Sequence, residues 1–287
     1  MKPKILILGV SGMLGNALLK FFCSKKNFSI FGTIKSSNSL AFSSSLDNYK
    51  LFTDVDVEKK DILLRIFSEV VPDIVINCVG VVKQSKEMTD TLMVISLNSL
   101  LPHYLAKLSA KYFARFIHIS TDCVFSGSRG NYVESDLPDA QDLYGRSKLL
   151  GEVSYLNTIT LRTSIIGHEL NSSQGLVDWF LSQNENVEGY KKAIFSGLTT
   201  YEFARVIYEH ILPNSNLSGL YHLSAGPISK HDLLLLIKDV YGKNINVIPD
   251  DKKVAVNRSL DSSCFRKATG FLPKSWPLMI REMHNFR

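Results

Sequence analysis

Acidic residues are missing from the first 46 positions of this 287-residue chain, while Lys2, Lys4, Lys20, Lys25, Lys26 and Lys35 all fall there. The formal net charge is +6, so the remainder of the chain is formally neutral. Arginine-rich patches interleaved with aromatics are absent, which argues against a nucleic-acid partner. Cysteine is scarce. Cys23, Cys78, Cys123 and Cys264 are widely spaced and form no C-x-x-C pair, so neither a disulfide framework nor a zinc site is indicated. The seven histidines show no metal-ligand spacing, and no metal is expected. No apolar run reaches the ~18 residues of a spanning helix, so no membrane partner is expected either. The apolar start from Ile5 to Leu19 is broken by Gly9, Gly12 and Gly15 and followed by Lys20 without a small-residue cleavage site, unlike a signal peptide. A reducing, cytoplasmic location is the expectation.

What is present is an alternation of short apolar runs and helical patterns. Strands are expected at Lys4 to Leu8, Ser29 to Thr33, Ile74 to Asn77 and Arg115 to Ser120. Helices are expected at Met13 to Cys23, Lys59 to Val70 (stopped before Pro72) and Leu97 to Tyr112. Such alternation implies an α/β fold with a parallel sheet and right-handed crossovers, binding ligands at the carboxyl ends of its strands. Thr158 to Ile166 reads as a further strand, Thr199 to Ile211 as a helix and Leu220 to Ser224 as a strand. Residues 1–167, with 199–224 returning to them, are expected to form the main domain; 168–198 and 225–287 are expected to form a smaller, discontinuous lobe over the substrate. The serine-rich stretch Ser36 to Ser45 reads as a polar loop.

Gly9, Gly12 and Gly15 follow the first strand directly and open the first helix. Glycine permits a tight turn and close approach of the backbone to a pyrophosphate, which the unpaired N–H groups of a helix start then receive. The second strand ends in Phe31-Gly32-Thr33-Ile34-Lys35-Ser36. A chain selecting NAD places an acid about 20 residues beyond the glycine loop, for the ribose 2′-hydroxyl. None is available here. Lys35 would attract a 2′-phosphate, and Thr33 with Ser36 or Ser37 could donate to it, so NADPH is the preferred cofactor with NADH still possible.

Tyr144 and Lys148 are four residues apart, which on a helix places them on one face. An ammonium beside a phenol favours the phenolate and brings its titration towards neutral pH. The strand ending in Ser120-Thr121-Asp122 sets hydroxyls at a carboxyl end of the sheet. Asn77-Cys78-Val79-Gly80 ends the preceding strand, and Asn98 lies in the helix between the two.

Together these segments resemble the extended short-chain dehydrogenase/reductases, whose fold is a Rossmann-type doubly wound parallel sheet. The nearer resemblance is to the dTDP-4-dehydrorhamnose reductase group. It is carried by Ser120 to Gly127, by Tyr144 to Lys148 with Gly151-Glu152, and by Leu161-Arg162-Thr163-Ser164. It is strong over residues 1–167 and weaker beyond, where Arg258-Ser-Leu-Asp261 is similar to a late family segment near the substrate diphosphate. The resemblance implies hydride transfer from NAD(P)H to a keto carbon of a nucleotide-linked 4-keto-6-deoxyhexose, dTDP- or UDP-bound. Tyr144 would donate the proton, Lys148 would lower the Tyr144 pKa and hold the nicotinamide ribose, and Thr121 would hydrogen-bond the carbonyl. The implied cofactor contacts are Gly9, Ser11, Gly12, Met13, Leu14, Gly15, Asp56, Val57, Cys78, Val79, Gly80 and Asn98, besides Thr33, Lys35, Ser36, Tyr144 and Lys148. Asn98 stands where the family has a structural or proton-relay asparagine. Thr121, Asp122, Cys123, Val124, Tyr144 and Arg258 would face the substrate. The family supplies cell-surface polysaccharide precursors, and dimers are common in the fold.

Three positions depart from the pattern. The family usually has Tyr where Cys123 stands, an acid at Ser126 and often Trp at Ile165, which bears on the identity of the sugar. Related dehydratases carry an Asp-Glu pair after the threonine; Cys123 follows Asp122 here, which argues against dehydration. A nucleotide-sugar 4-epimerase holding NAD tightly and a non-catalytic NADP-binding regulatory subunit stay open as alternatives.

Overall fold

The computed structural model describes residues 2–36, 49–170 and 173–286. Seven strands form the large sheet in the order β10-β6-β5-β4-β1-β2-β3. In chain order the first of its elements are β1 (Lys4–Leu8), α1 (Met13–Lys25), β2 (Ser29–Thr33), β3 (Tyr49–Phe52), α2 (Lys60–Val70) and β4 (Ile74–Asn77). They are followed by α3 (Thr91–Ile95), a π turn at Ser96–Leu100, α4 (Leu101–Lys111), β5 (Arg115–Thr121), α5 (Leu143–Leu150) and β6 (Thr158–Thr163). The later elements are β7 (Ile165–Ile166), α6 (Leu176–Ser182), β8 (Val187–Phe195), β9 (Leu198–Thr199), α7 (Thr200–Val206) and β10 (Gly219–His222). Then come β11 (Ile228–Ser229), α8 (Lys230–Tyr241), β12 (Val247–Asn257), α9 (Ser263–Thr269) and α10 (Trp276–Asn285).

β1 is apolar from Ile5 to Leu8 because those residues are buried on both faces, as in a central parallel strand. Helix α2 buries Leu63, Ile66, Phe67 and Val70, the i, i+3, i+4, i+7 stripe of an amphipathic helix, in a cluster with Leu6, Leu8, Val75, Leu105 and Phe116. The helix ends at Val70, as the clash of Pro72 with a helical predecessor requires.

The parallel register aligns the strand ends. Leu8 stands opposite both Thr33 and Asn77, and Asn77 opposite His118. Because β1 lies between β2 and β4, the strand order reverses there, and the loops after β1 and β4 open at the same level. That is the switch point at which such sheets take ligands.

The doubly wound sheet expected from the sequence is present, with local differences. Tyr49–Phe52 adds an edge strand. The run from Thr158 to Ile166 divides: β6 stays in the large sheet, while β7 leaves to pair with β9. The helix before β5 starts at Thr91 rather than Leu97 and carries the π turn. A three-stranded sheet, β11-β8-β12, stands beyond what the sequence patterns indicated. The serine-rich loop from residue 37 onward lies outside the described residues.

The chain forms two compact units. One comprises residues 1–120, 142–161 and 216–220; the other comprises 121–141, 162–215 and 221–287. Of the expected main domain, 1–167 with 199–224, residues 121–141 and 162–167 fall in the second unit, and of the returning segment only 216–220 counts with the first.

Candidate functional site

In the first unit the glycine turn leaves β1 with Gly9 at φ +83°, where a side chain would be strained. The Gly9 N–H donates to Thr33 Oγ1 (3.1 Å), and Gly12 N–H donates to the Gly9 carbonyl (3.2 Å). A Cβ on Gly15 would sit 2.2 Å from that same carbonyl oxygen. Helix α1 starts from Gly12 with no side-chain cap and no acid in its first turn. Its leading N–H groups and positive dipole end therefore suit an anion. Ser11, Met13 and Leu14 line this turn and are half-buried.

Thr33 is buried, so its hydroxyl braces the glycine turn. Lys35 is exposed and Ser36 half-buried; Ser37 lies outside the described residues. Lys35 is close enough to Glu87 to help lower that carboxyl, behind the larger effect of the Ser85 hydroxyl. Asp56 accepts the Glu58 N–H (3.1 Å), and Val57 packs against the core cluster.

After β4, Asn77 Oδ1 accepts the Val79 N–H (3.1 Å), and the Val79 side chain lies against Gly9. Burial pushes the Cys78 thiol up to about 12, against the opposing pull of Lys148. Gly80 abuts the Asn98 side chain. Asn98 is fully buried in the π turn and accepts from Val81 N–H (2.8 Å) while donating to Val81 O (3.1 Å) and Ser147 Oγ (3.2 Å). Ser99 Oγ donates to the Ser147 carbonyl (2.9 Å). Asn98 thus ties the loop after β4 to the turn of α5 that lies between Tyr144 and Lys148.

Helix α5 is capped by Asp142, which accepts the Gly145 N–H (2.8 Å) and pairs with Lys83 (2.7 Å). Tyr144 is half-buried. Lys148, 7% exposed, donates to the Ile119 carbonyl of β5 (2.7 Å). Burial pulls its ammonium down to about 8, with Glu152 and Cys78 opposing. Ser120 Oγ donates to Glu152 (2.7 Å). His118 is held well below its usual pKa by burial and by Lys148 and His103, so it adds no charge beside that ammonium.

In the second unit, Thr121 caps a short turn at Asp122–Val124 and accepts the Cys123 N–H (3.1 Å). Asp122 and Val124 are buried and Cys123 half-buried. Arg258 donates through Nε to the Phe125 carbonyl (2.8 Å). Its segment is stitched to residues 127–132. Asn257 N–H donates to Gly127 O (2.7 Å), Tyr132 N–H to Ser259 O (2.9 Å) and Asp261 N–H to Tyr132 O (2.7 Å). Gly127, at φ +88°, has no room for a side chain beside Val256. Lys230, the first residue of α8, was not singled out from the sequence. Burial lowers its pKa, and Asp122 and Cys123 oppose. The cap Ser229-x-x-Asp232 could have marked its helix start, but nothing in the sequence marked its partner.

Among the described residues no group of three or more His, Cys, Asp or Glu could hold a metal ion, and no helix is long and apolar enough to cross a membrane.

A parallel sheet with a glycine turn at its switch point and a Tyr-x-x-x-Lys turn on α5 defines an extended short-chain dehydrogenase/reductase. Within that class, the sequence model of the RmlD substrate binding domain matches residues 2–285, and the chain belongs to that family. It is 25% identical to a dTDP-4-dehydrorhamnose reductase of Aggregatibacter actinomycetemcomitans over 99% of each chain. It is 23% identical to the methionine adenosyltransferase 2 subunit beta of Xenopus tropicalis, over 96% of this chain and 88% of the other. Its fold superposes on a dTDP-4-dehydrorhamnose reductase of Bacillus anthracis solved in complex with NADP, with TM-score 0.78, 21% identity and 99% coverage of each chain.

Proposed function

We propose that this chain is an NADPH-dependent reductase of the keto group of a nucleotide-activated 4-keto-6-deoxyhexose, dTDP- or UDP-linked, in the making of cell-surface polysaccharide precursors. The observation that carries the reading is the α5 turn. Lys148 is buried and anchored on β5, yet retains a proton at neutral pH, one turn from Tyr144. The cofactor fits the first unit because the turn at Gly9 and Gly15 leaves no room for a side chain and the start of α1 is uncapped. A reduced nicotinamide dinucleotide held there supplies the hydride. Tyr144 donates the proton to the ketone oxygen, Lys148 favours the resulting phenolate and holds the ribose, and Thr121 donates a hydrogen bond to the same oxygen. Lys35 and Ser36 receive the 2′-phosphate, with Thr33 holding Gly9 in place. Arg258 receives the substrate diphosphate. Reduction needs no thiolate, and Cys123 serves as a small wall residue.

The direct test is NADPH consumption against a panel of dTDP- and UDP-4-ketosugars. Steady consumption with at least one of them is the expected result. Tyr144→Phe should lower kcat by at least ~10²-fold and leave NADPH affinity nearly unchanged. Wild-type turnover in that variant removes Tyr144 from the mechanism. The likeness to a methionine adenosyltransferase subunit favours a second reading, a regulatory protein that binds NADP without turnover. NADPH binding with no consumption across the whole panel would select it.

A further inference from the structure

Two cations of the second unit carry more hydrogen-bond donors than the protein gives them acceptors. Sheet register brings them near each other. Ser229 of β11 and Asn257 of β12 flank Ile194 of β8 from its two sides, and Lys230 and Arg258 are the next residues. Both are half-buried. Arg258 spends Nε on the Phe125 carbonyl (2.8 Å), and its Nη–H groups meet no acceptor among the described residues. The Lys230 ammonium, a donor only, forms no hydrogen bond and closes no ion pair among them.

The groups that face Lys230 do not make up the shortage. Asp122 attracts it, but that carboxylate is taken up by the side chains of Thr121, Cys123 and Ser164. Cys123 offers a sulfur, which is a weak acceptor, and Arg258 repels as a like charge. The start of α8 is closed: Ser229 Oγ accepts the Asp232 N–H (3.0 Å) and donates to Asp232 Oδ2 (2.8 Å). What stands open is therefore the lysine side chain and not the helix end. An ammonium drawn out of water without an acceptor is costly, and a ligand anion removes that cost. A guanidinium fork suits one phosphate and a compact ammonium a second, so a diphosphate fits this pair better than a lone carboxylate.

We propose that Lys230 is a binding residue for the substrate diphosphate, its ammonium holding one phosphate while Arg258 holds the other. This rests on the reading of the substrate as a nucleotide-linked sugar.

Binding tests the two layers without turnover. The probes are dTDP and UDP, titrated by calorimetry into the NADPH-loaded protein. Wild type should bind at least one of them. Lys230→Met keeps a long side chain and removes the charge. It should bind that nucleotide about one to two decades more weakly, the worth of one charge-assisted contact. Lys230→Arg should recover most of the loss. NADPH affinity should not move, and the melting temperature of Lys230→Met should hold or rise, because the substitution removes a cation that the protein does not pair. Undiminished nucleotide affinity in Lys230→Met overturns the proposal and leaves the substrate reading standing. A wild-type protein that binds neither nucleotide overturns both. A loss that comes with a lower melting temperature and is not recovered by Lys230→Arg makes Lys230 a structural residue and overturns the proposal as well. A loss of NADPH affinity does the same by assigning the ammonium to the cofactor.

Discussion

Lys148 illustrates what it costs to keep a cation under cover. Its pKa of about 8 lies below the ordinary 10.5, so the charged form is disfavoured by folding. Below about pH 8 both folded and unfolded chains hold the proton, and the full penalty applies. Between about 8 and 10.5 the unfolded chain holds more protons, and stability rises with pH. The ceiling of that penalty is about 3 kcal/mol. Lys148→Met removes it but leaves the Ile119 carbonyl without its donor, at about 1 kcal/mol. The variant should therefore be more stable at neutral pH by about 1–2 kcal/mol, measured by denaturant unfolding, while kcat and NADPH affinity both fall. A less stable variant would mean that the hydrogen bond to Ile119 outweighs desolvation. Lys35 is the opposite case, an exposed lysine that the proposed function assigns to the ligand. Lys35→Asp should leave stability unchanged and shift the ratio of kcat/KM for NADPH over NADH towards NADH by about one to two decades, the worth of one charge-assisted contact. An unmoved ratio makes Lys35 an ordinary surface residue.

At the scale of elements, the glycine turn is tightly constrained. Gly15→Ala puts a methyl group 2.2 Å from the Gly9 carbonyl, and the obstacle is backbone, so the turn itself must move. NADPH affinity should drop at least ~10-fold, because a backbone displaced from the pyrophosphate loses its N–H contacts; titration by intrinsic fluorescence checks this. Affinity equal to wild type would mean that the turn does not carry the cofactor. These same elements are the ones legible in the sequence. β1, β2 and β4 match their expected bounds because a buried parallel strand is a short apolar run bounded by turn residues. The three-stranded sheet was not legible for the converse reason. β12, with Asp250, Asp251, Lys252 and Lys253 at its middle, is largely exposed and breaks register between Asp250 and Ala255, so it shows no clean period of two. The π turn was hidden for another reason. Nothing in Ser-Leu-Asn-Ser-Leu distinguishes it from ordinary helix, and the hydrogen bonds that Asn98 makes from it, with Val81 and Ser147, are tertiary. Lys230 was likewise placed by partners distant in sequence, Asp122 and Cys123, which spacing does not encode.

At the scale of the molecule, the chain passes from one unit to the other five times, after residues 120, 141, 161, 215 and 220. The short return at 216–220 supplies the acceptor for one buried donor of the first unit: Arg115, 8% exposed, donates to the Leu217 carbonyl at 2.7 Å. β10 also covers the flank of β6, a strand buried at every residue. A fragment of residues 1–167 should therefore fail to fold although it holds the glycine turn, Tyr144 and Lys148. Loss of soluble, NADPH-binding material on expression is the expected outcome, and a fragment that binds NADPH with full-length affinity would refute it.

The same five crossings bear on how such a protein can change over generations. A lineage cannot exchange its second unit for another by a single recombination event, because no one cut in the gene separates the units. Under the proposed function, new substrate preferences would instead have to accumulate by point substitution within interleaved segments, at positions such as Cys123 and Arg258, while the glycine turn and α5 are inherited intact alongside them.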